Sequence, residues 1–417
     1  MEEQLKTDFD KVVKNLKLSD ENIRLRKKYL NKFIKDGFPN KKKEEWKFFD
    51  LNQIINSNIK NLSFFNNCSV FAKNDNIVYV KNFEHNKIIF VNGSISLIDF
   101  GYEEKNKIEI EEDINLTEKN DQTNILISLN NALLSNYIKI TIKQNYSLNK
   151  PLIIYNITNR ELNSTAVNLR TDIILEKNSS IKLITLSNDD SKDNFININQ
   201  NFKIAKDAIL KNYKIDSVDN SNIKYFFNNI DLEHNSLAET FIFSKASKFI
   251  KNEINCNLNG EYSSAFINGV INLKESKHHE IKTNINHLAE NTKSYQLVKC
   301  VLNDSSKGVY QGKIFVDSKA QKTDGYQLSK ALLLSENTEF DAKPELEIYA
   351  DDVKCSHGST SGNLDEDAIF YLMSRGLSYQ QSRELLINGF LLDVIEKITD
   401  LEIKDLIKNI MGIKQWV

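Results

Sequence analysis

The chain has 417 residues, of which 55 are Lys or Arg and 57 are Asp or Glu, for a formal net charge of -2. That near-balance gives no electrostatic argument for nucleic acid or for an anionic membrane surface. The opening MEEQLKTDFDKVVKNLK is charged and is followed by no signal-peptide core. No apolar run approaches the ~18 residues of a membrane span, so the expectation is a cytoplasmic protein of one large domain with appendages.

Residues 1–60 read as helical, with Phe9, Val12, Val13 and Leu16, then Leu25, Tyr29, Leu30 and Phe33, at helical spacing. Asp36-Gly37-Phe38-Pro39 breaks the pattern, and Lys41-Lys42-Lys43 reads as a solvated charge run. Trp46, Phe48 and Phe49 are expected to anchor these helices on the next domain.

From about residue 65 to 355 the period changes to two. Ile138, Ile140 and Ile142 alternate with Lys139, Thr141 and Lys143, and similar alternations recur at Ile196/Ile198, Ile254/Cys256/Leu258, Ile281/Thr283/Ile285 and Val298/Cys300/Leu302. Between 226 and 328 their centres repeat about every 13–15 residues, separated by Asn, Ser, Asp and Gly. One helix-like run, Gln122–Asn136, interrupts. Sandwich, barrel and solenoid all remain open on spacing, and the near-equal strands without strong hairpin turns favour a β-helix. Asn, Lys and Ile are abundant, which reads as compositional bias of the source genome rather than function.

The last segment is helical again. Asn363 with Glu366 reads as a capping pair before Ile369, Phe370, Leu372 and Met373. Ser378 with Gln381 caps a second helix through Leu385, Leu386 and Phe390, and Leu401, Ile403, Leu406, Ile407, Ile410 and Met411 form a final apolar face. That much Leu and Ile packs on the β region or offers a face to a partner.

Of the four scattered cysteines, Cys256 and Cys300 sit in apolar alternations and read as core, Cys355 lies in Cys355-Ser356-His357, and Cys68 has no assigned role. If 353–357 is extended, Cys355 and His357 share a face, with Ser356 on the other, and thiolate beside imidazole suits iron, zinc or an iron–sulfur cluster. Two ligands are half a site, so other residues or a second subunit must complete it. A structural role at a strand-to-helix junction, or a Cys–His nucleophile near Asp351-Asp352, is the competing reading of the same residues. His278, His279 and His287 read as exposed strand histidines. No GxxxxGK[ST], GxSxG, HExxH or GxGxxG occurs, so the chain itself carries no P-loop nucleotide site.

Lys343-Pro344-Glu345-Leu346-Glu347-Ile348-Tyr349-Ala350-Asp351-Asp352-Val353-Lys354-Cys355-Ser356-His357-Gly358 resembles the signature of the SufB/SufD family of the SUF iron–sulfur cluster assembly system. Leu364-Asp365-Glu366, Phe370-Tyr371-Leu372, Ser374-Arg375-Gly376, Tyr310-Gln311-Gly312-Lys313-Ile314 and Ala320-Gln321-Lys322-Thr323-Asp324 extend the resemblance. Gly358, where SufB-type chains usually carry Glu, and Glu44-Glu45-Trp46-Lys47 are similar to the SufD branch.

The resemblance implies a mainly β fold, a right-handed parallel β-helix core (63–360) between N-terminal (1–62) and C-terminal (361–417) helical regions. It further implies a non-catalytic subunit that pairs with a SufB-like subunit through the β-helix. The C-terminal helices would dock the SufC ATPase, with Phe370, Tyr371, Met373, Arg375, Leu385 and Phe390 as candidates. His357 and Cys355 would contribute to a transient iron–sulfur cluster shared with SufB and passed to apo-proteins. A self-sufficient SufB-type scaffold and a polysaccharide-active β-helix enzyme are the rival functions.

Overall fold

The computed structural model describes residues 2–16, 18–66, 80–112, 116 and 124–413. Cys68, the first two residues of the 122–136 run and the tail 414–417 lie outside the described residues. The fold is mainly β, a parallel β-solenoid with helices at both ends. From Tyr137–Ile142 onward successive strands alternate between two sheets, so each coil places one strand in a ten-stranded sheet and the next in a nine-stranded sheet. Pairing between coils is parallel and in register, apart from antiparallel pairs at the N-terminal rim (Asn86–Val91 with Ser94–Asp99, and Ile108–Glu111 with Tyr137–Ile142).

The alternation seen in the sequence is the inside–outside alternation of these coils. Ile254, Cys256 and Leu258 stack on Thr283, Ile285 and His287 of the coil above them, and Cys256 and Cys300 are fully buried in the axial core. Stacking also gives the asparagines a physical role. Asn255 donates to Asn229 and Asn284 donates to Asn255, at 2.8 and 3.0 Å, so amides climb the nine-stranded sheet as a ladder. At the corners, Asn178, Asp207, Asn235 and Asn291 take positive φ, the region that Asn and Asp tolerate best among residues with a Cβ. Their N–H groups bond to the next coil, Asn235 to Glu261 O at 2.8 Å and Asn291 to Gln321 O at 2.9 Å. At another corner Gly260 lies so close to the preceding coil that a Cβ would meet His234 N at 2.0 Å. Genome bias alone does not account for this placement.

The N-terminal helices α1 (Glu2–Leu16), α2 (Asp20–Asp36) and α3 (Leu51–Asn58), with the inserted α4 (Ile125–Leu133), bury Leu5, Phe9, Leu30, Phe33 and Phe38 against Phe195, Ile223 and Tyr225 of the nine-stranded sheet. Arg26 of α2 is fully buried and donates to Leu134 O at 2.6 Å, tying α2 to the end of α4. Trp46 and Phe49 anchor as expected, on Tyr225 and on Phe249 with His278, while Lys41, Lys42 and Lys43 are exposed.

At the other end α5 (Glu366–Ser374), α6 (Tyr379–Ile395) and α7 (Leu401–Met411) follow the last strand. Leu391, Val394, Ile395, Ile403 and Ile407 cover Ile153, Tyr155 and Ile184 on the outer face of the ten-stranded sheet. The cap of α5 is Asp365, which accepts from the N–H groups of Asp367 and Ala368, rather than the expected Asn363. Asn363 follows directly on the extended strand and lies two residues too early. The Ser378–Gln381 capping box of α6 forms as read. Among the described residues no helix is long and apolar enough to cross a membrane.

Candidate functional site

Cys355 and His357 lie within the last strand, Lys354–Gly362, rather than at a strand-to-helix junction. The preceding strand stops at Ile348, a turn intervenes, and the chain makes one more pass in register with Asp324–Leu332. Cys355 pairs with Gly325 and His357 with Gln327. Gly325 and Gln327 are buried in the coil below, so the side chains of Cys355 and His357 continue its inward face. Ser356 continues the outer face above Tyr326, whose ring stacks on Tyr295 at 5.0 Å. The strand is the edge of its sheet, so among the described residues no further strand pairs with its far side.

The two donors differ in setting. Cys355 is half-buried and packs with Ile314, Val316, Ala320 and Ala350. Burial pushes its thiol above the ordinary value, a backbone hydrogen bond from Gly325 pulls the other way, and Asp324 adds to the rise. A thiol so placed is a poor free nucleophile at neutral pH, which weighs against covalent catalysis. His357 is exposed and its ring makes no hydrogen bond among the described residues. Asp351 and Asp352 belong to the turn: Lys322 N donates to Asp352 O at 2.6 Å, and Asp352 N to Gln321 Oε1 at 2.9 Å. No group of three or more His, Cys, Asp or Glu positioned to hold a metal occurs among the described residues. The two side chains are therefore neighbours on one face of an edge strand, with no further His, Cys, Asp or Glu grouped beside them among the described residues.

His278, His279 and His287 are not the exposed strand histidines expected. His279 and His287 are fully buried and face the axis, and His278 is covered by Phe49. His279 is held by Ser244 Oγ at 2.8 Å and Ser247 O at 2.6 Å, and His287 by Thr292 and Ser294 hydroxyls at 2.7 and 2.9 Å. Eight residues of one strand separate them, about 26 Å, so they share no site.

On the C-terminal helices Phe370 is 75% exposed, Tyr371 55% and Met373 43%, with the Arg375 guanidinium 5.1 Å from the Tyr371 ring. Leu385 is half-buried. Phe390 instead packs on the solenoid, with Lys299 Nζ 4.4 Å from its ring and bonded to its carbonyl. Two groups escaped sequence reasoning, Gln296 and Gln327, which lie beneath His357 in the same inward column. The signal was available: each sits at the apolar parity of its own strand.

A family profile described as SUF system FeS cluster assembly, SufBD core domain, matches residues 155–390. The chain with this β-solenoid thus belongs to the SufBD core family of iron–sulfur cluster assembly proteins. Within that family it is of the SufD type. It is 26% identical over 382 residues to the iron–sulfur cluster assembly protein SufD of Escherichia coli, covering 89% of this chain and 88% of that one. Shorter matches cover 28% of this chain: SufD of Bacillus subtilis, 32% identical over 26% of its length, and the chloroplastic protein ABCI7 of Arabidopsis thaliana, 38% identical over 25% of its length.

Proposed function

We propose that this chain is the SufD-like subunit of a SufB–SufC–SufD assembly and acts without catalysing a reaction of its own. It lends Cys355 and His357 to a nascent iron–sulfur cluster completed by a SufB-like partner, and the finished cluster passes to apo-proteins. The observation that carries this is the open half-site: a sulfur and a nitrogen donor on the inward face of an edge strand, with no further ligand grouped beside them among the described residues. A tetrahedral iron needs more donors than that, and a partner strand laid along the same edge is the economical source. The cluster is cargo here, held by ligands from two chains and therefore releasable when they part. Exposed Phe370, Tyr371 and Met373 on α5 offer the apolar surface for a SufC-like ATPase.

The test is co-purification of the tagged chain with the SufB-like and SufC-like proteins of its own genome, then anaerobic reconstitution with iron and sulfide. The expected result is a stable complex that gains iron–sulfur absorbance. His357→Ala should leave the complex intact and lower the cluster yield. An unchanged yield would remove His357 from the site, and a chain that stays alone and colourless would overturn the assembly.

A further inference from the structure

The outer face of the ten-stranded sheet carries a run of aromatic side chains that the pair Cys355 and His357 does not use. Glu239, Phe266, Tyr295 and Tyr326 are register partners on four successive coils, and Tyr213 and Phe241 are partners in the adjacent row. Between α6 and α7 the chain turns, and Lys397 and Ile398 of that elbow roof part of the run. Lys211 Nζ donates to Thr399 Oγ1 at 2.6 Å and Lys182 pairs with Asp400, which fastens the elbow to the sheet. Between roof and sheet lies a half-open pocket of about 350 Å³, walled by Tyr213, Phe241, Phe266, Tyr295 and Ile398, with Glu239 on its lining.

Aromatic walls with a few polar groups are the usual form of a small-molecule site. Two polar groups here lack partners. Tyr213 is 3% exposed, yet its hydroxyl makes no hydrogen bond among the described residues. Burial, with Glu239 and Asp400 nearby, raises its pKa and keeps it a neutral O–H donor. A shielded hydroxyl left without a partner is costly. Lys397 makes no ion pair among the described residues, because the neighbouring carboxylates are taken: Asp393 pairs with Lys299 at 2.8 Å, and Glu239 with Lys211 at 3.5 Å. Lys397 Nζ lies 5.9 Å from the Tyr295 centroid. Tyr213 and Tyr295 stand on strands three spacings apart, about 14 Å. After one hydrogen bond at each end, about 9 Å remains for a ligand, the length of two fused rings with their substituents.

We propose that this pocket binds a planar aromatic anion about two fused rings long. Its rings lie against Phe266 and Tyr295, its anionic group meets Lys397, and a polar substituent at the far end accepts from the Tyr213 hydroxyl. The site does not depend on the reading of Cys355 and His357 as cluster ligands.

The test is calorimetric titration of 6-hydroxy-2-naphthoate into the full-length chain at pH 7. The comparison compounds are 2-naphthol, which lacks the carboxylate, and 2-naphthoate, which lacks the hydroxyl. One equivalent of the hydroxynaphthoate should bind, about fivefold more tightly than 2-naphthol. Lys397→Met should erase that preference, and Tyr213→Phe should erase the preference over 2-naphthoate. Phe266→Ala should weaken all three about tenfold. No binding at millimolar probe overturns the proposal. So does binding of several equivalents, or a carboxylate preference that survives Lys397→Met. Melting curves identify any variant that fails to fold, and Lys397→Met, at an exposed position, keeps the outcome readable if Tyr213→Phe does.

Discussion

His279 and His287 each sit fully buried on the axis with both ring nitrogens engaged, so the folded chain holds them neutral. Burial lowers their pKa from 6.5 to about 3 and about 4 respectively. On unfolding each regains its ordinary value and takes up a proton at any pH between the two. Their contribution is therefore complete above pH 6.5 and is lost as pH falls toward 4, by about 1.4 kcal/mol per pH unit for each histidine. Urea midpoints measured from pH 7 to 4.5 should fall with pH, and a His279→Gln, His287→Gln double variant should make that fall shallower, with His278, whose pKa burial also lowers to about 3, still contributing. An unchanged slope would mean that the two rings are protonated in the fold. The sequence carried the clue, because both share the parity of Ile281 and Ile285, yet the bland prior for histidine pointed outward. Lys224 was less legible. It bridges Asp189 and Asp216 inside the solenoid, fully buried, and no pattern along the chain brings those three together. Lys224→Met leaves two carboxylates buried without their cation and should cost about 3–5 kcal/mol, read as a shift in the denaturant midpoint.

Among the elements, the C-terminal helices divide their labour in a way the sequence left open. The second half of α6, and α7 from Ile403 onward, lay their apolar residues on the ten-stranded sheet, whereas Leu401 is exposed and α5 buries only Ile369. Both sets are rich in Leu, Ile, Phe and Met. Periodicity shows that a helix has an apolar face but not what covers it, so the choice between self-packing and a partner appears only in the structure. A Phe370→Ser, Met373→Ser double variant should leave the melting temperature within about 2 °C of wild type, since these side chains are exposed. It should also lose the SufC-like protein in co-purification. Retention of that protein would move the docking surface elsewhere. The Trp46 anchor behaves oppositely. Its ring lies under Lys251 Nζ, 4.3 Å from the centroid, and against Tyr225, and Lys251 also pairs with the buried Glu280. The adjacent aromatics at 46, 48 and 49 made this anchor readable without coordinates.

At the scale of the molecule the solenoid is a one-dimensional stack, and its two ends differ. The first coils are closed by antiparallel rim strands, and the helices α1–α4 cover the outer face of the nine-stranded sheet beside them, whereas the strands Glu339–Ile348 and Lys354–Gly362 each pair on one side only. Period two announced the strands but not their stacking order, because every coil offers much the same inward Ile and Leu. What fixed the register legibly was the family signature of the last coils. In a stack of this kind each coil is stabilised by its neighbours, so a coil with one neighbour opens most readily. Amide hydrogen exchange of the isolated chain should accordingly be fastest, among the coils, over 339–362, and slow through 223–302, where strands are paired on both sides. If the half-site is completed by a strand from a SufB-like subunit, adding that subunit should protect 354–362 by tenfold or more, corresponding to ~1.4 kcal/mol against local opening. Protection that appears only over α1 and α2 would place the partner on the wrong end of the stack, and Cys355 and His357 would then be left without the chain that supplies their missing ligands.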